Sequence, residues 1–260
     1  MTISVHGSGL RAWLVAAIVA ASFGSAVPAQ DGKPAARRVV LVTGANRGLG
    51  LEFARQYQAA GWSVIGTARH VEAATELKAL GVKVEELDVT DAESVAALAR
   101  RLDGQTIDLL INNAGVTSST SQLADIDLED FQHILQVNVL GPVRVTQALS
   151  KNLRAGSGKT IVCITSALGS LTYNTGGGFY GYRESKAALD MFVRNIAAEL
   201  ASAGFICIAM SPGWVKTDMG GPDAQLTPEQ SITGMRKVID GLKPADNGKS
   251  WNYDGKNVAW

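Results

Sequence analysis

The sequence predicts an α/β domain built on a single doubly wound parallel sheet with helices on both faces. Two observations carry this. Short apolar runs alternate with longer segments of helical pattern, the order expected of βαβ units. Glycine falls just past the helix ends, and Ser, Thr or Asp at their starts, as capping requires.

The candidate strands are Arg38–Val42, Ser63–Thr67, Val82–Leu87, Leu109–Asn112, Thr160–Thr165 and Phe205–Met210. Between them lie helix-like segments: Leu49–Ala60 stopped by Gly61, Val71–Leu80 stopped by Gly81, and Ala92–Leu102 after Thr90-Asp91. Two longer ones follow, Leu128–Leu153 and Tyr180–Ala203, the second ending at Gly204. Thr227-Pro228-Glu229 opens a last helix with proline in its first turn, and a short final strand is expected near Ser250–Tyr253. There is no internal repeat and no domain break after residue 37, so residues 38–260 are read as one domain.

At 260 residues the chain suits one such domain with a sizeable core. Lys+Arg and Asp+Glu are equal at 24 each, and there is no long basic run. Nothing points to a nucleic-acid partner. His6, His70 and His133 are scattered and form no pattern with carboxylates or cysteines, so no metal site is expected. Cys163 and Cys207 each sit inside an apolar, β-branched run and read as small core residues rather than a disulfide.

Residues 1–29 have the layout of a secretory signal peptide: Arg11, an apolar stretch from Ala12 to Phe23, then the small-residue pattern Val27-Pro28-Ala29. The stretch is shorter than the roughly 20 residues a membrane span needs, so no stable span is expected in the mature form. Export, to a periplasmic location, follows from this reading. A misassigned start codon is the alternative, and would leave the protein cytoplasmic. Residues 30–37, with Asp31-Gly32-Lys33-Pro34, read as a linker.

The candidate chemistry lies at the carboxyl ends of the strands, where open α/β sheets bind ligands. Thr43-Gly-Ala-Asn-Arg-Gly-Leu-Gly50 follows the first strand and opens the first helix. Glycine gives such a turn backbone room, and the helix N-terminus offers free N–H groups and a positive dipole to a phosphate. After the second strand, where an acid would bind the ribose 2′-hydroxyl of NAD, stands Arg69. With Arg47 it suits the 2′-phosphate of NADP, which makes NADP(H) the expected cofactor over NAD(H). Asp88-Val89 follows the third strand and Asn112-Asn113-Ala114-Gly115 the fourth. Asn138 is polar within an apolar helix stretch, and Ser166 ends the fifth strand. Ser211-Pro212-Gly213-Trp214-Val215-Lys216-Thr217-Asp218 forms a further crevice loop after the sixth.

Tyr182-Arg-Glu-Ser-Lys186 puts a phenol and an amine four residues apart. On a helix these share one face, with Cβ atoms about 5–6 Å apart. An ammonium so close favours the phenolate of a tyrosine that otherwise titrates near about pH 10, which suits general acid–base work.

Taken in order, these motifs resemble the short-chain dehydrogenase/reductase family from about Val39 to Trp260, and within it the C-factor and Sniffer-type carbonyl reductases. The Gly176-Gly177-Gly178 insertion before Tyr182, the run Gly213 to Gly221, and the Asp254-Gly255 tail support the narrower likeness. The resemblance implies a Rossmann-type sheet and an NADP(H)-dependent oxidoreductase acting on a small carbonyl or alcohol. Tyr182 would be the general acid/base, Lys186 would lower its pKa and hold the nicotinamide ribose, and Ser166 would bind the substrate oxygen. Asn138 would hold a relay water. Gly44, Arg47, Gly48, Leu49 and Gly50 would cradle the pyrophosphate, and Asp88 and Val89 would border the adenine. Asn113 would line the cleft, and Val215 and Thr217 would contact the nicotinamide amide. A homodimer or homotetramer is also implied.

Ser166 and Tyr182 stand further apart than in most of the family, and an export signal is unusual for an enzyme drawing on NADPH. A second reading is a cofactor-binding signalling or regulatory protein of the C-factor type with little turnover. A third, an exported scaffold without cofactor, is opposed by the intact glycine turn.

Overall fold

Val39–Val42 forms β1 at the centre of the sheet, and all four of its residues are buried. Alternation sends Val39 and Leu41 into one apolar layer and Val40 and Val42 into the other. A strand apolar on both faces is what a parallel sheet covered by helices on both sides requires.

The computed structural model describes residues 37–260. The leader-like segment 1–29 and the linker up to residue 36 lie outside the described residues. The remaining strands are β2 (Ser63–Ala68), β3 (Lys83–Glu86), β4 (Leu109–Asn112), β5 (Thr160–Ile164), β6 (Ile206–Ser211) and β7 (Ser250–Asn252). They pair in parallel in the order β3-β2-β1-β4-β5-β6-β7. This is the expected doubly wound sheet, with the reversal between β1 and β4 opening a crevice at the strand ends.

The helices are α1 (Gly48–Ala59), α2 (Thr75–Ala79), α3 (Ala92–Arg101), α4 (Leu128–Leu135), α5 (Gly141–Ala148), α6 (Ser150–Ala155), α7 (Tyr182–Leu200) and α8 (Pro228–Asp240). Phe53 and Tyr57 of α1, Leu77 of α2 and Ile232 and Met235 of α8 fill one core layer. Leu98 of α3, Val145 of α5 and Leu189 and Val193 of α7 fill the other. Each such side chain, once buried, contributes about 1.5–3 kcal/mol relative to exposure.

Two helices differ from expectation. Val71–Leu80 is a 3₁₀ turn, Val71–Ala73, followed by the short α2. The single helix expected over Leu128–Leu153 is broken into α4, α5 and α6. Between α4 and α5, Gln136–Leu140 is π-helical, and Gly141 N reaches back five residues to Gln136 O. Pro142 explains the local loosening, because it has no N–H for the carbonyl four residues back, that of Asn138. Gly141 is needed there as well, since a Cβ would come 2.9 Å from Val89 Cγ2.

Asp108, at the entry to β4, fastens the opposite end of the sheet. Its Oδ2 accepts from Val39 N at 2.7 Å, and its Oδ1 from Ser157 N, the Ser157 hydroxyl and Gly158 N at 2.7, 2.8 and 3.0 Å. One carboxylate thus sets the approach of β1, β4 and β5. Burial alone would raise its pKa, but the hydrogen bonds from Val39, Ser157 and Gly158 hold it below the ordinary carboxylate value.

Candidate active site

The turn from β1 to α1 is built for close approach. Gly44 (φ +63°) and Gly48 (φ +55°) occupy the left-handed region that favours glycine. A Cβ on Gly50 would lie 2.2 Å from Gly44 O and 2.6 Å from Asn113 Nδ2. Asn113 holds this turn directly, donating Nδ2 to Thr43 O at 2.8 Å and to Gly44 O at 3.1 Å. Thr43 completes the brace, its Oγ1 accepting from Asn113 N and Ala114 N. The turn therefore packs too closely for a side chain at Gly50, and it leads directly into the N-terminus of α1 at the crevice space between the strand ends. Leu49 is half-buried behind it.

The rim of the space carries two cations. Arg69 is exposed at the end of β2, and its charge helps favour the Asp88 carboxylate. Burial would raise that carboxylate's pKa, but the Thr90 hydroxyl and backbone N–H outweigh it and the net shift is downward. Asp88 Oδ1 accepts both Thr90 groups, at 2.6 and 2.8 Å, so it shapes the turn after β3. Val89 is buried beside Gly141. Arg47 pairs with Asp218 across the rim at 2.5 Å. Val215 bridges to Leu226, and the Thr217 methyl lies 3.5 Å from where a Gly48 Cβ would stand. The loop after β6 thus meets the glycine turn, as the sequence placed it.

Tyr182, Lys186, Ser166 and Asn138 come together on the other side of the crevice. The chain enters α7 through a tight bend in which Gly177, Gly178, Phe179 and Gly181 all have positive φ. Phe179 (φ +52°) is the strained member, since a bulky residue rarely adopts this region. Arg183 stitches the bend to the Ser166 turn, donating Nε to Gly178 O and Nη1 to Leu168 O, each at 3.1 Å. Gly169 lets that turn press on α7, for a Cβ there would meet Lys186 Cβ at 2.7 Å. In this way the long Ser166–Tyr182 interval still returns both hydroxyls to one place.

Tyr182 is buried, which pushes its pKa above the ordinary value, while the Ser166 hydroxyl facing it acts in the opposite sense. The lowering role was expected of Lys186; at Tyr182 burial dominates, and the Ser166 hydroxyl is the group that opposes it. Lys186 lies 5.5 Å from the centroid of the phenol ring and donates Nζ to Ile164 O at 2.8 Å. Burial brings its pKa down to about 8 against the opposing pull of Asp190 and Cys163. Ser166 Oγ accepts from Leu168 N at 3.1 Å, which leaves its hydrogen free to donate.

Asn138 is fully buried. Its Nδ2 donates to Val116 O at 2.8 Å and Ser185 Oγ at 3.0 Å, and its Oδ1 accepts from Val116 N at 2.9 Å. One lone pair of Oδ1 remains. It faces Gly115, where a Cβ would stand 3.2 Å from Oδ1 and 3.7 Å from Lys186 Nζ. Sequence reasoning missed Thr43, Ser185, Arg183 and Asp190 as members of this site. Only Asp190 had a readable signal, standing four residues past Lys186 on the same helix.

Comparison with known proteins follows the same line. The short chain dehydrogenase family matches residues 38–226. The C-signal of Myxococcus xanthus is 47% identical over 154 residues, which cover 59% of this chain and 93% of that protein. An NADPH-bound carbonyl reductase from chicken fatty liver superposes with a TM-score of 0.81 at 35% identity, covering 86% of this chain and 99% of that one. The carbonyl reductase Sniffer of D. melanogaster gives a TM-score of 0.82 at 30% identity, over 86% and 100% of the two chains.

Proposed function

Because the chain belongs to the short-chain dehydrogenase family, we propose that it is an NADP(H)-dependent oxidoreductase interconverting a carbonyl and an alcohol, with Tyr182 as general acid/base. The observation that carries this reading is the convergence of Tyr182, Ser166 and Lys186 at the crevice, with Lys186 Nζ 5.5 Å from the phenol ring.

A bound nicotinamide supplies hydride to the carbonyl carbon, or accepts it from the alcohol. The chain's own residues do the rest. Tyr182, kept protonated by burial, passes its phenolic proton to the carbonyl oxygen as negative charge develops there. Ser166 donates its free hydrogen to the same oxygen, a fixed dipole aimed at that charge. Lys186, with a pKa of about 8, is largely protonated at neutral pH and stabilises the phenolate left behind. It would also hold the nicotinamide ribose hydroxyls. Asn138 offers its remaining lone pair to a water on the way to Lys186.

The fit to a dinucleotide rests on the glycine turn, which packs too closely to accept a side chain at Gly50 and runs directly into the N-terminus of α1. Arg69 and Arg47 provide the cations for a 2′-phosphate, and no acid follows β2 directly to bind a bare ribose. NADPH is therefore the favoured cofactor, as bound by the chicken enzyme. The substrate is a small or varied carbonyl compound, covered by the short Trp214–Gln225 loop.

A signalling or regulatory role is the second reading, favoured by the identity to C-signal. Tyr182→Phe separates the two. The substitution removes only the hydroxyl, so reduction should fall by roughly 10²–10⁴-fold while NADPH affinity, read by cofactor fluorescence, changes little. Undiminished turnover in the variant rules out the proposed acid. Tight NADPH binding by the wild type with no turnover on aldehydes, ketones or quinones favours signalling.

A further inference from the structure

One helical turn beyond Lys186, α7 carries a second buried ionisable group. Asp190 is only 7% exposed, and its Oδ1 has no hydrogen-bond partner. Spacings of four residues put Tyr182, Lys186 and Asp190 on one face of the helix. The Thr165 hydroxyl, also without a hydrogen-bond partner, faces the carboxylate. Thr165 lies between Ile164, whose carbonyl accepts from Lys186, and Ser166. Asp190 therefore touches the segment that carries two of the site's contacts.

We propose that Asp190 is a positioning residue for the reaction, its carboxylate serving as the counter-charge that keeps Lys186 protonated beside Tyr182. This rests on the reading of Lys186 given above. The two side chains make no direct ion pair, because Lys186 Nζ is turned to Ile164 O. The influence acts through space between two buried groups, where an opposite charge nearby favours the charged form by about 1–3 pH units.

The other groups facing the pair do not supply that charge. From α7, Tyr182 is kept neutral by burial, and Arg194 is turned away, its Nη1 on Gly248 O and its guanidinium 5.8 Å from the Trp260 ring. From β5, the Cys163 thiol is pushed up to about 12 by burial, and Thr165 and Ser166 are neutral hydroxyls. From β6, the Cys207 thiol is likewise pushed up to about 12 by burial. Beside Gly115 stands the neutral Asn138 amide. Burial pushes Asp190 up to about 6, opposed by Thr165 and Lys186, so it is ionised at neutral pH. With Ala187, Arg194 and Trp260 it lines a cavity of about 500 Å³, which brings solvent close enough for proton exchange.

The test is the titration of Lys186 by carbon NMR of the full chain labelled at lysine Cε, without cofactor or substrate. It is therefore independent of turnover, and its failure is distinct from that of the Tyr182 experiment. In the wild type the Lys186 signal should titrate near pH 8 and show a second, smaller inflection near pH 6 as Asp190 protonates. Asp190→Asn, which keeps the size and shape of the side chain and removes its charge, should move the main titration acidward by about 1–2 pH units and carry the alkaline limb of turnover with it. A Lys186 titration that does not move in the variant overturns the proposal. So does a wild-type signal lacking the inflection near pH 6, a reading that stands even if the variant does not fold. A turnover limb that stays in place while the titration moves overturns it too, because the counter-charge would then have no bearing on the reaction.

Discussion

We propose that cofactor choice turns on Arg69. It is exposed at the end of β2, and its guanidinium can grip a phosphate with two parallel hydrogen bonds. Arg69→Ala should weaken NADPH binding at least ten-fold, about 1.4 kcal/mol, and leave NADH binding nearly unchanged. Equal losses for both cofactors, measured by titration, would mean that Arg69 does not read the 2′-phosphate. The positions of Tyr182, Lys186, Ser166 and the glycines were legible because each follows a strand or shares a helix face. The tasks of Asn113 and Asn138 were not. Asn113 braces a turn 70 residues upstream, and Asn138 a loop 22 residues upstream. Such partners are fixed by sheet order, which no local pattern reveals.

At the scale of elements, strands were easier to place than helices, because runs apolar on both faces leave few alternatives in a covered sheet. The break at Gln136–Leu140 was missed because the apolar pattern continues through it. Its cause, the missing N–H of Pro142, acts on hydrogen bonds rather than on burial. Asp108 was also invisible, a single carboxylate whose partners lie on β1 and before β5. Asp108→Asn should destabilise the fold at neutral pH by about 1–3 kcal/mol, the cost of poorly satisfied buried donors. The sign of the pH dependence follows from its depressed pKa. Its contribution is complete above the unfolded carboxylate value of about 3.9 and is lost as pH falls through the lower folded value. Urea unfolding of both forms should therefore show a gap that is constant between about pH 5 and 7 and closes in acid. A gap independent of pH would mean that the charge of Asp108 plays no part.

For the molecule as a whole, the sheet decides what its two cysteines can do. Cys163 pairs with Ala209 and Cys207 with Ile161, so the thiols sit on neighbouring strands, two residues out of register, in the same core layer. Strand spacing and rise place such diagonal Cα atoms about 8 Å apart, beyond the roughly 7 Å that a disulfide spans. We propose residues 1–29 as an export leader, and this register lets the chain enter an oxidising compartment with both thiols intact. Protein recovered from its native host, unfolded and alkylated, should take up label at both cysteines and have lost the residues up to about Ala29. A chain that resists alkylation until reduced, or that retains Met1, contradicts the prediction.

The central place of β1 has a further consequence, for how the chain is made. On one side β1 pairs with β4, each of Val40, Leu41 and Val42 with a residue 69 positions downstream. Until that stretch has left the ribosome, an apolar strand waits with one edge open. Open edges of this kind invite pairing with other chains, and long-range parallel pairing is slow to form. Soluble yield should therefore fall as expression is driven faster, because crowded half-made chains have longer to pair through that edge.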